Sequence, residues 1–283
     1  MSTTPEASLN MDQQSQKTSK IHILQHNCNR STSAMQSCLE YAVNQADIVV
    51  LQEPWIGLNN ITVSHPAFTC ILPASSSNLR PKVVTFVFKE QNGIRCTPRP
   101  DVSMDSDLQA LSITGTGFQE VLLLNIYNEK SLQVDSTELT VERTLKQITT
   151  LKRTIICGDF NAHHTWWNST IATPKNADAI ISWVTTNKLD LVNTPDTTTF
   201  TRKTPTGQYS SVLDLTFASS QMMQEIIDWQ VNDQAYTGSD HEVIQFVITT
   251  PDLELVPSPF NAPFTQRKQT ELHFKKSWWQ MQC

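Results

Sequence analysis

The sequence predicts an α/β fold arranged as a four-layer sandwich, with two packed mixed β-sheets flanked by helices. Three observations carry that reading. Apolar runs of strand length recur along the chain, several without the period-two alternation of a half-exposed strand, as expected of strands buried on both faces. Three amphipathic helical patterns fall between them. The runs from Val83 to Tyr127 follow one another with no intervening helix, which argues for mixed strand order rather than an all-parallel, doubly wound sheet.

The elements follow in chain order. Residues 1–19, rich in Ser, Thr and Gln, read as a disordered lead-in. The strand-like runs are Ile21–Leu24, Ile48–Leu51, Val83–Phe88, Val121–Tyr127, Thr154–Cys157, Val212–Phe217 and Val243–Ile248. A first helix is expected near Ser33, with Gln36 in capping-box position and Met35, Leu39, Ala42/Val43 and Ala46 on one face. A second is expected from Asp135, with Glu138 at the box position and Val141, Leu145, Ile148 and Leu151 as its stripe. A third is expected at Thr173-Pro174, a cap followed by proline in the first turn, carrying Ile180, Ile181 and Val184. TFTRKTPTGQYSS reads as a hairpin. From Pro251 the prolines crowd into a linker and tail, so the domain is expected over 20–250 and the tail over 251–283.

Composition narrows the function. Hydrophobic residues make up 39% of the 283, enough for a sizeable core, and charged residues only 17%. A formal charge of −6 does not describe a generic basic nucleic-acid binder. It leaves open an enzyme that gathers carboxylates around a divalent cation, because the ion inverts the local sign. The six cysteines form no C-x-x-C pair, so neither a disulfide framework nor a zinc ribbon is expected; reduced, mostly buried thiols fit an intracellular protein. The polar N-terminus lacks the apolar core of a signal peptide, and no apolar run approaches the roughly 20 residues of a membrane span.

The informative feature is where polar residues stand. Asn27 ends IHILQHN, Glu53 ends IVVLQE and Tyr127 ends VLLLNIY. Asp159 and Asn161 close TIICGDFN, Asp214 lies within SVLDLTF, and Asp240-His241 precedes VIQFVI. Taken singly, each has an ordinary explanation: a buried structural acid for Asp214, a capping histidine for His241, turn residues for Asn27 and Asn29, an exposed loop acid for Glu53, a core aromatic for Tyr127. Taken together they would bring Glu53, Asp159, Asp214 and Asp240 into one region, where like charges need a cation or a protonated histidine.

In this order LQHNCN, LQEPW, NIY, GDFNAHH, SSVLDLTFAS and GSDH resemble the endonuclease/exonuclease/phosphatase superfamily. Within it the chain is most similar to the endonuclease domain of non-LTR (LINE-type) retrotransposons. The resemblance covers about residues 20–250. It implies Glu53 as principal Mg²⁺ ligand, with Mn²⁺ as a substitute, and Asn27 and Asn29 beside it. It implies that Asp159 orients or deprotonates the attacking water, Asn161 holds a phosphate oxygen, Asp214 orients His241, and His241 meets the scissile phosphate. Asp240 would support the metal or histidine side, and Tyr127 would donate near the phosphate or the leaving oxygen. Two departures stand out: relatives often have Asp where this chain has Asn29, and NEKS after Tyr127 lacks the Pro that commonly follows.

The implied activity is a Mg²⁺-dependent DNA-nicking endonuclease that exposes a 3′-hydroxyl primer. DNA is the expected partner, which would place the protein in the nucleus. A reverse transcriptase domain is expected in the parent element, and this chain has no Y-x-D-D-type segment. Arg30, Lys175, Arg202 and Lys203 are the basic residues nearest to strand-end loops and are candidate phosphate contacts. Trp166 and Trp167 would either stack on an unstacked base or pack against a helix. The competing readings are another phosphoesterase of the superfamily, acting on a phosphorylated lipid or small molecule, and a non-catalytic nucleic-acid-binding remnant.

Overall fold

The computed structural model describes residues 18–74, 80–90, 93–115, 118–129 and 138–251. The expected lead-in and tail therefore lie outside the described residues, apart from residues 18, 19 and 251, as does Asp135. Among the described residues the strands are β1 (Thr18–Asn27), β2 (Ile48–Gln52), β3 (Phe68–Ile71), β4 (Val83–Phe88), β5 (Ile94–Pro98), β6 (Leu108–Gly115) and β7 (Phe118–Tyr127). They continue as β8 (Thr154–Asp159), β9 (Leu189–Leu191), β10 (Phe200–Thr204), β11 (Gly207–Ser211), β12 (Asp214–Ser219), β13 (Ile226–Asn232) and β14 (Val243–Pro251). The helices are α1 (Thr32–Ala42), α2 (Thr140–Arg143), α3 (Asp178–Thr186) and α4 (Ser220–Met223). No helix among the described residues is long and apolar enough to cross a membrane.

Two six-stranded sheets form, in the orders β13-β14-β1-β2-β4-β3 and β5-β6-β7-β8-β12-β9, while β10 and β11 pair as a separate ribbon. Each sheet has one parallel pair near its centre, β1 with β2 and β7 with β8. A parallel pair needs a crossover. The segment carrying α1 supplies the first, and the one carrying α2 the second.

Burial follows from alternation along each strand. Ile23, Ile48, Val50, Leu123 and Ile155 fill the layer between the sheets. Leu24, Val49 and Leu51 face the other way and pack under α1 with Met35, Cys38 and Leu39. Leu122, Leu124 and Ile156 pack under α2 and α3 with Val141, Ile180 and Val184. Helix, sheet, sheet, helix is the expected four-layer order, and both faces of the central strands are dry, which is why their sequences do not alternate.

Towards one rim the inner layer turns polar. Continuing the inner face, Gln25 and Asn27 follow Ile23, Gln52 follows Val50, Asn125 follows Leu123, and Asp159 follows Cys157. All five are buried. Gln52 Nε2 donates to Asn125 Oδ1 across the sheets at 2.7 Å. A buried polar group without a partner costs about 1–3 kcal/mol, so a layer of this kind is retained where function needs it.

The helix starts differ from expectation. Asn29 and Arg30 both have positive φ, so the chain turns there and the next residue, Ser31, becomes the cap of α1; its hydroxyl accepts from Ala34 N at 3.2 Å. At α2 it is Glu142, not Glu138, that caps, accepting from Leu139 N at 2.9 Å, and Leu151 is exposed. Thr173-Pro174 starts no helix. The backbones of Lys175 and His163 exchange two hydrogen bonds of 2.9 Å, which pin this segment to the loop after β8, and α3 begins only at Asp178. Trp167 is buried in the core under the second sheet, with its indole N–H on Ala162 O, and Trp166 packs against Phe217.

Candidate active site

The two parallel pairs end at the same rim. In register, Asn27 stands opposite Gln52, Tyr127 opposite Asp159, and Asp159 opposite Asp214 at the start of β12. His241 is carried in just before β14 and bridges to Phe200 on the ribbon. Gly158 lets β7 and β8 close at this point: a Cβ there would lie 1.9 Å from Ile126 O, and its φ of +153 lies in the region only glycine enters freely. The strand ends enclose a cleft of about 420 Å³ lined by Asn29, Glu53, Tyr127, Asp159, Asn161 and His241.

One side of the cleft is closed and buried. Asp159 and Asp214 are each 1% exposed although they stand directly opposite on neighbouring strands. Two such charges about 4 Å apart repel by about 4 kcal/mol at an effective dielectric of 20. The surroundings answer this. Asp159 Oδ2 accepts from Asn27 Nδ2 at 2.9 Å, and Oδ1 accepts from Asn161 N at 2.9 Å. His241 Nδ1 donates to Asp214 Oδ2 at 2.8 Å, and its Nε2 lies 3.8 Å from Asp159 Oδ2. Thr199 Oγ1 takes the backbone N–H groups of both Leu213 and Asp214, fixing the start of β12.

Charge on each group follows from these contacts. Burial alone would strip His241 of its proton; Asp214 in direct contact, with Asp159 and Glu53 beyond, instead raises its pKa to about 9. Burial and the Asp214 carboxylate push Asp159 up, well above the ordinary carboxylate range. The ligand atoms of Asp159, Asp214 and His241 lie within 4.8 Å of one another. While protonated the imidazole offers no lone pair to a cation, so in that state the cluster handles protons.

The other side is open. Glu53 sits one residue beyond β2 with a φ of +42, a strained region for a non-glycine residue. Its N–H on Lys82 O and its carbonyl under Arg30 N hold that backbone from both directions. Its carboxylate pairs with Arg30 at 2.6 Å, and that guanidinium is 62% exposed. Burial, with the carboxylates of Glu53, Glu129 and Asp159 nearby, raises the Tyr127 phenol so that it stays protonated. Asn29 N donates to Asn27 Oδ1 at 2.8 Å, turning the chain back over the same edge. Asn161 holds Asn128 O through Nδ2 at 3.3 Å and is itself held by Asn176 through its carbonyl.

One expected site residue is set apart. Asp240 gives its carboxylate to Arg202 on the ribbon at 2.7 Å. Of the basic residues, Lys175 and Arg202 line the cleft, Arg30 is spent on Glu53, and Lys203 lies exposed on β10. The residues that sequence reasoning missed are His163, Asn176, Phe200 and Tyr209, which line the same cleft. Phe200 packs edge-on against the His241 ring, centroids 4.8 Å apart. Of these only His163, inside GDFNAHH, carried a signal.

Several solved nucleases share this fold. Residues 121–245 match the family described as endonuclease-reverse transcriptase. Among solved structures, the endonuclease domain of TRAS1, a telomere-specific non-LTR retrotransposon, aligns with a TM-score of 0.66 at 24% identity, over 81% of this chain and 98% of that one. The AP endonuclease LMAP from Leishmania major aligns with a TM-score of 0.60 at 13% identity, over 82% and 88%. The 3′-5′ exonuclease NExo from Neisseria meningitidis aligns at 0.55 and 16% identity, over 80% and 98%. No curated protein matches the sequence.

Proposed function

We propose that this chain is a divalent-metal-dependent DNA endonuclease that nicks one strand and leaves a 3′-hydroxyl. The observation that carries the reading is convergence: Glu53, Tyr127, Asp159, Asn161 and His241, scattered along the sequence, line one cleft, with Asp214 behind His241.

Phosphodiester hydrolysis needs an activated water, a donor for the charge building on phosphate, and help for the leaving oxygen. Asp159 is built for the first. Its raised proton affinity suits a group that accepts a proton from water near neutral pH. His241 meets the second: Asp214 holds Nδ1–H, which leaves the Nε2–H free for a phosphate oxygen. Asn161 is neutral and donates without adding repulsion. Protonated Tyr127 is a donor at the opposite edge.

The donors of the open side fit Mg²⁺ or Mn²⁺. Glu53 offers a carboxylate on the cleft wall and Asn27 an amide oxygen with one lone pair uncommitted, the hard oxygen ligands such ions take. Asn29 stands beside them. When bound, the cation would offset charge on the phosphate and the leaving oxygen. DNA contacts are assigned to Lys175 and Arg202 at the cleft, with Arg30 and Lys203 at its margins. A nuclear location is proposed on the DNA substrate alone.

The test is conversion of supercoiled plasmid to open circles with Mg²⁺, followed by polymerase extension from the nick. The reading predicts nicking that stops with chelator and ends that extend directly. Release of phosphate from an inositol phosphate, with the plasmid left intact, would replace DNA by a small phosphoester as the substrate.

A further inference from the structure

The segment that delivers His241 has little apolar anchorage. Between Ala235 and His241 no side chain is fully buried, and Tyr236 is 90% exposed. Yet His241 must sit to a few tenths of an ångström to reach both Asp214 and the cleft. What holds it is a run of directed hydrogen bonds that starts at a residue outside the cleft, His26.

His26 lies on β1 between Gln25 and Asn27. Its side chain faces away from the inner layer and is 1% exposed. Nδ1 lies 3.5 Å from Glu242 O, and Nε2 lies 2.9 Å from Thr237 Oγ1. A carbonyl only accepts, so Nδ1 carries the hydrogen. In the neutral ring Nε2 then accepts the Thr237 hydroxyl. Thr237 Oγ1 in turn accepts Ser239 N–H at 3.3 Å. The Ser239 hydroxyl donates to Asn27 O at 2.8 Å and accepts His241 N–H at 3.2 Å. Each hydroxyl thus gives one hydrogen and receives one. The turn between them is Gly238 at φ +78, with open space where a side chain would project. An aliphatic residue at position 26 would fill the same space under this loop and could not hold Thr237.

We propose that His26 is a positioning residue: through Thr237 and Ser239 it sets the backbone that carries His241, and so sets the His241–Asp214 pair. The inference rests on the nuclease reading, and its test separates the two. Thr237→Val removes the hydroxyl at nearly constant shape, and Thr237→Ser restores it. With the wild-type chain nicking plasmid, Thr237→Val should lower kcat about ten- to a hundred-fold, the range for small misplacements of a reacting group. KM should hold, and Thr237→Ser should recover most of the rate. In a His241→Ala background Thr237→Val should cost nothing further, because its effect runs through that imidazole. His26→Phe, which keeps the volume, should behave like Thr237→Val. The downfield proton of the His241–Asp214 bond should shift or broaden in proton NMR of Thr237→Val.

Nicking by Thr237→Val at the wild-type rate, or an equal loss with and without His241, overturns the proposal. A wild-type chain that nicks nothing defeats the nuclease reading instead. In that case the NMR comparison decides the positioning on its own, with an unmoved proton counting against it.

Discussion

The two sides of the cleft solve the same problem, excess negative charge, in different ways. On the Asp159–Asp214–His241 side the chain supplies its own counter-charge. The groups are buried, and His241 is hydrogen-bonded to Asp214 at 2.8 Å with Asp159 3.8 Å from its other ring nitrogen. On the Glu53 side the counter-charge is a mostly exposed arginine held by one ion pair. The Glu53 side chain is only 11% exposed, so the pair is solvated from the arginine side alone. On the proposed reading the difference is a division of labour: the rigid side would position protons and phosphate, and the open side would exchange its partner for a cation.

The largest effect is expected on the rigid side. Asp214→Asn keeps the shape but removes the charge that holds His241 protonated, and should cut plasmid nicking about 10²–10⁴-fold while leaving the circular dichroism spectrum unchanged. A milder loss would mean that the pair is less coupled than its 2.8 Å contact indicates.

A smaller effect separates the two sides. Mg²⁺ at a hundredfold excess over its Kd stabilises the fold by about 2.7 kcal/mol, on the order of 5–10 °C in Tm for a chain of this size. Glu53→Gln should abolish that shift. His241→Ala should keep it. If the shift survives Glu53→Gln, the cation binds elsewhere and the division fails.

The smallest effect is in pH. The pKa of His241 is raised from 6.5 to about 9 in the fold, so its charge contributes stability that is fully present below pH 6.5 and is lost as pH rises through 9. Wild-type Tm minus His241→Gln Tm should therefore shrink between those values, and nicking should fall on the same alkaline limb. A flat difference would place the imidazole outside its acid pair.

Much of this arrangement was legible before any coordinates. Strands buried on both faces announce themselves as unbroken apolar runs, and six of the seven runs read from the sequence lie in a strand, while Val212 and Leu213 of the other precede β12. Polar residues closing such runs are conspicuous, which is how Asn27, Glu53, Tyr127, Asp159 and Asp214 were found. What failed was local. The cap of α1 moved because Asn29 and Arg30 take left-handed backbone, a property that residue type does not announce for arginine. Asp240 and His241 are adjacent in sequence and equally polar, yet one pairs with Arg202 and the other with Asp214. Phe200 and Tyr209 reach the cleft only because the β10–β11 ribbon folds back on it, a long-range contact with no periodic signature. His26 hid for the opposite reason: one residue from Asn27, it faces the other side of β1.

The most direct measurement is end-labelling of plasmid nicks by wild type and by His241→Ala at equal concentration, with Mg²⁺ present and folding verified by melting. The account predicts polymerase-extendable 3′ ends from the wild type and a loss of two orders of magnitude or more in the variant, about 10²–10⁴-fold. Undiminished labelling by His241→Ala would contradict it, since the imidazole that the whole rigid side is built to hold would then have no part in cutting DNA.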